Sequence, residues 1–365
     1  MNIKSLLLGS AVAAVAATGA RAADAIIIAE PEPMEYVRIC DVYGAGFFYI
    51  PGTETCLRIG GYLRYEMRYT DYADGGEYTF GKFSRFQLNV DARSETEWGT
   101  LRSYAEGRFD WNSQPVTGRD NVYLNQGFIE LQQANGTVRL GKSDTPYARF
   151  LGYGSPFGPF DASYGFYNSG ELSYTYNGGN GFSAVAALVE IAGNNKFDVG
   201  VEGGVNFAQG WGNVGAIAGY DTLAEEWGAK LVANGNFGAF TVGGHLFYSS
   251  GNGAVYNPAI ATSHQNIYAI NSGIFGRVLT SSEFSALVYA KAKVTDTLAI
   301  AGAFQWFDAE HGAIGVDHAW ELTGGLDWTP VAGLRIRPEV QYGKIDTVLG
   351  TDDAWRATVR FDRSF

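Results

Sequence analysis

From Leu57 to its last residue the chain repeats one unit, about ten residues of alternating apolar and polar side chains closed by a turn. Successive side chains of a strand point to opposite faces, so each unit makes a ribbon that is greasy on one side and wet on the other. One such ribbon suits a soluble sheet as well as a membrane wall. Its repetition along the chain suits a membrane-spanning antiparallel barrel. The last strand, 354–365, puts Trp355, Ala357, Val359, Phe361 and Phe365 on one face and Arg356, Thr358, Arg360, Asp362 and Ser364 on the other. Near the start, Leu57, Ile59, Leu63, Tyr65, Met67 and Tyr69 oppose Arg58, Arg64, Glu66 and Arg68, and then Phe86, Leu88, Val90 and Ala92 oppose Arg85, Gln87, Asn89, Asp91 and Arg93. A third segment, 99–109, carries Arg102, Tyr104, Glu106 and Arg108 on its polar face. Faces this charged need water beside them.

The full set of predicted strands is 57–69, 83–95, 99–109, 121–131, 137–142, 170–177, 182–190, 197–207, 213–221, 225–236, 240–249, 283–294, 297–308, 318–328, 334–344 and 354–365, sixteen in all. The connections 70–82, 110–120, 143–169, 191–196, 222–224, 250–282, 309–317 and 345–353 are mostly long, and those between them are short, among them Asn177-Gly178-Gly179-Asn180-Gly181 and Thr295-Asp296. Long and short connections at opposite ends are the asymmetry of an outer-membrane barrel. An even strand number brings both termini to the short-turn end and lets the last strand pair with the first, leaving no open edge in the bilayer. At about 16–18 strands the interior is too wide for side chains to fill, so the pattern predicts a water-filled channel.

The ends and the composition bound the rest. Residues 1–22 read as an export signal, with Lys4, an apolar stretch from Leu6 to Ala17 and a cleavage site at Ala20-Arg21-Ala22. The apolar stretch falls short of the roughly 20 residues of a membrane-spanning helix. Residues 23–56 open with Glu30-Pro31-Glu32-Pro33 and a Gly/aromatic stretch, and read as a periplasm-side segment at one mouth of the 57–365 barrel. Cys40 and Cys56 are the only cysteines, and in an oxidising compartment they are expected to pair; a two-Cys metal site is the rival, with no His nearby to complete it. The formal charge of −12 argues against a nucleic-acid partner. Glycine is abundant (49) and proline scarce (10), with no sustained helical periodicity, as suits one all-β domain.

The run Cys40 to Ile59, with Tyr43-Gly44-Ala45-Gly46-Phe47-Phe48-Tyr49 between the cysteines, resembles the general porins of alphaproteobacteria, the rhizobial type. Gly178-Gly179-Asn180-Gly181-Phe182-Ser183-Ala184-Val185 and the ending Val359-Arg360-Phe361-Asp362-Arg363-Ser364-Phe365 are similar to the same family, and a C-terminal Phe on a final strand resembles bacterial outer-membrane proteins at large. The resemblance implies a sixteen-stranded, usually trimeric passive diffusion channel in outer-membrane lipid, admitting small hydrophilic solutes and ions, whose third long loop folds inward. From about 110 to 170 and from 250 to 282 the likeness weakens, so pore width and selectivity do not carry over.

In a closed barrel the first three strands and the last are neighbours, and their polar faces carry Arg58, Arg64, Arg68, Arg85, Arg93, Arg102, Arg108, Arg356 and Arg360. Read as pore lining, this row focuses a field across the lumen. Read plainly, it solvates the wall and pairs with Glu66, Asp91, Glu95 and Glu106. The loop 143–169 is the expected constriction, with Asp144 and Asp161 as its acids. His245 is expected to face the lumen as a solvated lining residue, and none of the four histidines has the spacing of a metal site or triad. No cofactor and no enzyme activity are therefore expected. A substrate-specific channel and a barrel enzyme are the alternatives; the first needs a lumenal aromatic track, whereas Trp227, Trp306, Trp320, Trp328 and Trp355 fall on outward faces.

Overall fold

A computed structural model describes residues 38–72, 78–113, 121–153, 168–191, 198–251, 255–256, 282–308, 316–347 and 350–365. A two-residue strand β1 (Phe48–Tyr49) precedes sixteen long ones: β2 (Cys56–Tyr72), β3 (Thr79–Thr96), β4 (Gly99–Asn112), β5 (Asn121–Gln133), β6 (Gly136–Asp144), β7 (Asn168–Gly179), β8 (Phe182–Glu190), β9 (Val199–Gln209), β10 (Gly212–Asp221), β11 (Glu226–Phe237), β12 (Phe240–Ser249), β13 (Phe284–Lys293), β14 (Leu298–Asp308), β15 (Val316–Val331), β16 (Leu334–Thr347) and β17 (Gly350–Ser364). Each of these sixteen pairs antiparallel with the next, and β17 pairs with β2 from Ala354↔Tyr72 to Ser364↔Tyr62, closing the barrel. Each of the sixteen therefore has two partners, as hydrocarbon surroundings demand.

Turns of two to four residues join strands at one end, for example Asn180-Gly181 between β7 and β8. Both residues of that turn have positive φ (50° and 83°), which fits the right-handed twist of the flanking strands. The other end carries the long connections, with one correction. The expected loop 345–353 shrinks to residues 348–349, because β16 and β17 run on to Thr347 and Gly350. Ile345 is buried, Thr351 donates a hydrogen bond to Asp346, and Tyr342 donates to Asp353 at 2.8 Å, so short polar residues here continue the ladder.

Side chains alternate as a membrane wall requires. Leu231, Leu246 and Val288 are about half exposed (54%, 47% and 56%), whereas their neighbours Val232, Phe247 and Leu287 are each at 1%. Outward aromatics touch across successive strands, Phe284 with Trp306, Phe304 with Trp320, Trp320 with Tyr342, and Tyr342 with Trp355, forming a girdle near the long-loop end.

The chain terminus is tied into the seam. Gly61 and Phe365 exchange two backbone hydrogen bonds of 3.1 Å, and the Phe365 ring stacks on Phe86. A Cβ at Gly61 would lie 2.0 Å from the Gln87 carbonyl oxygen, so only glycine fits where three strands crowd. Next to this seam the Cys40–Cys56 disulfide is formed. It encloses a short 3₁₀ turn, Asp41–Tyr43, and the buried Phe47, with Phe48 and Tyr49 pairing onto Leu57 and Cys56.

Candidate functional site

The barrel's buried face has two unlike halves. On β2 to β7 and β16 to β17 it is charged. Asp91 of β3 accepts both oxygens' worth of hydrogen bonds from Arg93 (3.0 and 2.8 Å) and from Arg102 (3.0 and 3.1 Å), and Arg58 approaches at 3.4 Å. Arg102 continues to Glu130 at 2.9 Å, Arg139 meets Glu130 at 2.6 Å and Glu171 at 3.8 Å, and Arg149 meets Glu171 at 2.9 Å. The result is one continuous chain of alternating charge from β2 to β7. Aromatic rings back it: Arg58 lies 4.8 Å from the centroid of Phe47, Arg102 4.9 Å from Tyr104, and Arg139 4.0 Å from Phe128.

Four smaller groups complete the charged half. Arg64 binds Asp362 at 2.6 Å, with Arg337 on the other carboxylate oxygen, and Arg68 and Arg360 share Glu66. Arg85 grips Asp110 through two 2.7 Å bonds, and Arg108 binds Glu106 at 2.8 Å and Gln87 at 2.9 Å. Arg356 is buried on the same face of β17. Of the acids expected as partners, Glu66, Asp91 and Glu106 meet arginines. Glu95 instead accepts hydrogen bonds from Tyr43 (2.6 Å) and Thr100 (2.9 Å). Burial and that bond push the Tyr43 phenol up to about 12.

The second half, β8 to β14, buries more apolar side chains, among them Val185, Ile217, Val232, Phe247 and Leu287, with Glu202, Lys230 and His245 between them, and the chain after β6 covers it. Thr145 is extended, Pro146 has the preset φ of a first helical residue, and a single turn α1 (Pro146–Arg149) follows. Tyr147 and Leu151 pack on Val185, Ile217, Val232 and Tyr256, and Ala148 packs with Phe247, Leu287, Tyr289 and Ala303. Two buried charged residues grip the backbone of Tyr147: its N–H donates to Glu202 Oε2 (2.7 Å), and Lys230 Nζ donates to its carbonyl (2.5 Å). Burial also raises the Tyr147 phenol above its ordinary range. His245 is corrected by this packing: it is 1% exposed beside Phe247 and Tyr289, a core residue rather than a solvated lining one.

Asp144, at the end of β6, is nearly buried and accepts hydrogen bonds from Tyr153 and Asn168, each at 2.7 Å. Asp161 lies outside the described residues. Between the charged wall, Gly46 of the stapled segment and Tyr153 is a cavity of about 690 Å³, bordered by Arg58, Arg102, Arg139 and Arg149.

A family model described as "Porin subfamily" matches residues 24–360. The chain belongs to this porin family. It is 38% identical over its whole length to Porin Omp2b of Brucella neotomae and to Porin Omp2b of Brucella abortus (strain 2308), and it covers each of them completely. Among solved structures it is similar to the outer membrane channel DcaP of Acinetobacter baumannii (TM-score 0.64, 14% identity, 87% of this chain and 99% of that one). It is also similar to an anion-selective porin from Comamonas acidovorans (TM-score 0.60, 15% identity, 86% and 100%). At such identities these two speak for the fold alone. This porin is thus a multi-pass barrel of the outer membrane that forms a channel there.

Arg139, Arg149 and Arg337 with their partners Glu130, Glu171 and Asp362, Arg335 with its partner Asp327, and Asp110, the partner of Arg85, were not singled out from the sequence as site residues. Arg139 and Glu130 had a signal, since each is a polar residue flanked by the apolar pairs Val138/Leu140 and Ile129/Leu131. Arg149 had none, because it sits beyond the end of the alternation.

Proposed function

We propose that this porin is a general diffusion channel for small hydrophilic solutes and ions, in which the arginine row lines the water path. The turn that follows β6 narrows that path, with Asp144 and Asp161 carried on the same connection. The observation that carries the reading is the division of the buried face: one half held by ion pairs, the other sealed by Tyr147, Ala148 and Leu151. A barrel of about this strand number keeps a water channel unless its interior is filled. What fills it here rests on the apolar half, which leaves the charged half to line the remainder. In this reading the barrel does no chemistry on its solutes and selects by size and charge. The outward placement of Trp227, Trp328 and Trp355 favours it over a sugar-specific channel, which needs its aromatic track inside.

A homotrimer is part of the same proposal; OmpT of Vibrio cholerae, a structural neighbour at TM-score 0.56, is known in a trimer form. Residues 1–22 act as the removed export signal. Swelling of proteoliposomes in neutral sugars of graded size tests the channel: small sugars enter at rates that fall with size, and equal exclusion of all of them overturns the reading. Chemical cross-linking in the native membrane should give a species of three chains; a ladder ending at one chain overturns the trimer.

A further inference from the structure

We infer that the cavity beneath the stapled N-terminal segment is a binding site for small solutes carrying two or more oxyanion groups, carboxylate or phosphate, with Arg58 and Arg149 at its two ends. The inference rests on the channel reading above and adds a place where passage is interrupted.

The first observation is which partner of each ion pair solvent can reach. The side chains of Asp91, Glu130 and Glu171 are 2%, 4% and 0% exposed, lying under the guanidinium groups they bind, while those of Arg102, Arg139 and Arg149 are 16% to 18% exposed and that of Arg58 is 45%. Of these three carboxylates only Asp91 borders the cavity, and it is 2% exposed, so a solute there meets chiefly guanidinium edges. The second is the balance of charge along the chain: Arg58, Arg93, Arg102, Arg139 and Arg149 face Asp91, Glu130 and Glu171, five cations to three anions. Two other acids bordering this region are already engaged by neutral donors, Glu95 by Tyr43 and Thr100, and Asp144 by Tyr153 and Asn168. Arg58 is the least committed, since its 3.4 Å approach to Asp91 competes with two arginines that hold both oxygens of that carboxylate.

The third observation is rigidity. Arg102 and Arg139 lie on the rings of Tyr104 and Phe128 and are fixed by carboxylates behind, so little side-chain freedom is lost when an anion arrives. A guanidinium fork matches carboxylate and phosphate alike. At about 690 Å³ the cavity has the size of a small-molecule site.

Single-channel recording in planar bilayers at low KCl tests this, with citrate, inorganic phosphate or glucose added to the chamber on the short-turn side. The open current in KCl reports the channel itself, so a silent protein counts against the channel reading and not against the site. Wild type should show citrate-dependent interruptions that glucose does not cause. Arg58→Gln with Arg149→Gln should still conduct while citrate block weakens at least about tenfold. Arg58→Lys, which keeps the charge and loses the fork, should fall between the two and covers a failure of the double variant to assemble. Phosphate that blocks as strongly as citrate means that a single oxyanion group suffices and overturns the requirement for two; phosphate that blocks more weakly or not at all supports it. Citrate block that is absent in wild type, equal in the double variant, or matched by glucose overturns it.

Discussion

Replacing Lys230 by Met isolates the anchor of the turn after β6. Lys230 is fully buried and donates to the Tyr147 carbonyl at 2.5 Å, with its ammonium 5.1 Å from the centroid of the Tyr147 ring. Methionine keeps the stem and the strand pairing of β11, so the barrel ladder stays intact. What is lost is the donor to a buried carbonyl, a group that costs about 1–3 kcal/mol when left without a partner. Spent on local opening of α1, that is a rise of about 5- to 150-fold in the detached population. Trypsin reads it, because Arg149 at the end of α1 becomes a cleavage site only when the turn leaves the wall. Expected is faster cleavage after Arg149 in Lys230→Met, partial recovery when Glu202→Gln is added, and no change in Lys291→Met, whose partner is Asp327 on β15. Equal cleavage in wild type and Lys230→Met would refute the anchor.

Arg64→Gln with Arg102→Gln should shift the reversal potential toward cations in a low-salt KCl gradient, and Asp144→Asn with Asp161→Asn toward anions; a double variant that leaves it unmoved is lined by other residues. Gly61→Ala should impair closure of the barrel, since its new Cβ meets the Gln87 carbonyl at 2.0 Å, and the loss of heat-resistant migration on gels measures it. The Tyr43 phenol, raised to about 12 in the folded state against an ordinary value near 10, stabilises the stapled segment fully below pH 10, and that stabilisation fades as pH rises through about 12. Ultraviolet titration against Tyr43→Phe should show one tyrosine missing from the late part of the curve and not from the early part.

Much of the wall was legible because its cause is local. Hydrocarbon on one side and water on the other impose a period of two, and that period placed Arg356, Arg360 and Trp355 on their observed faces with no knowledge of their neighbours. The pairing of particular charges was not legible, because Arg64 and Asp362 meet across the barrel seam, 298 residues apart in the chain. The apolar half had a sign that is readable in retrospect: Phe182-Ser183-Ala184-Val185-Ala186-Ala187-Leu188-Val189 is apolar on both faces, and an inward apolar face needs a cover. The same sign explains His245, which shares its strand with Phe247 and is buried with it. The loop 345–353 was misjudged because Asp, Thr and Gly usually end strands, yet here they pair with one another across β16 and β17.

Current through single molecules of the purified protein in a planar bilayer bears most directly on the claim that the charged half lines an open water path. In KCl the account predicts discrete, ohmic steps in wild type, and steps whose reversal potential responds to Arg64→Gln with Arg102→Gln. A protein that folds, migrates as a heat-resistant barrel and yet gives no steps would contradict it, since the interior would then be sealed.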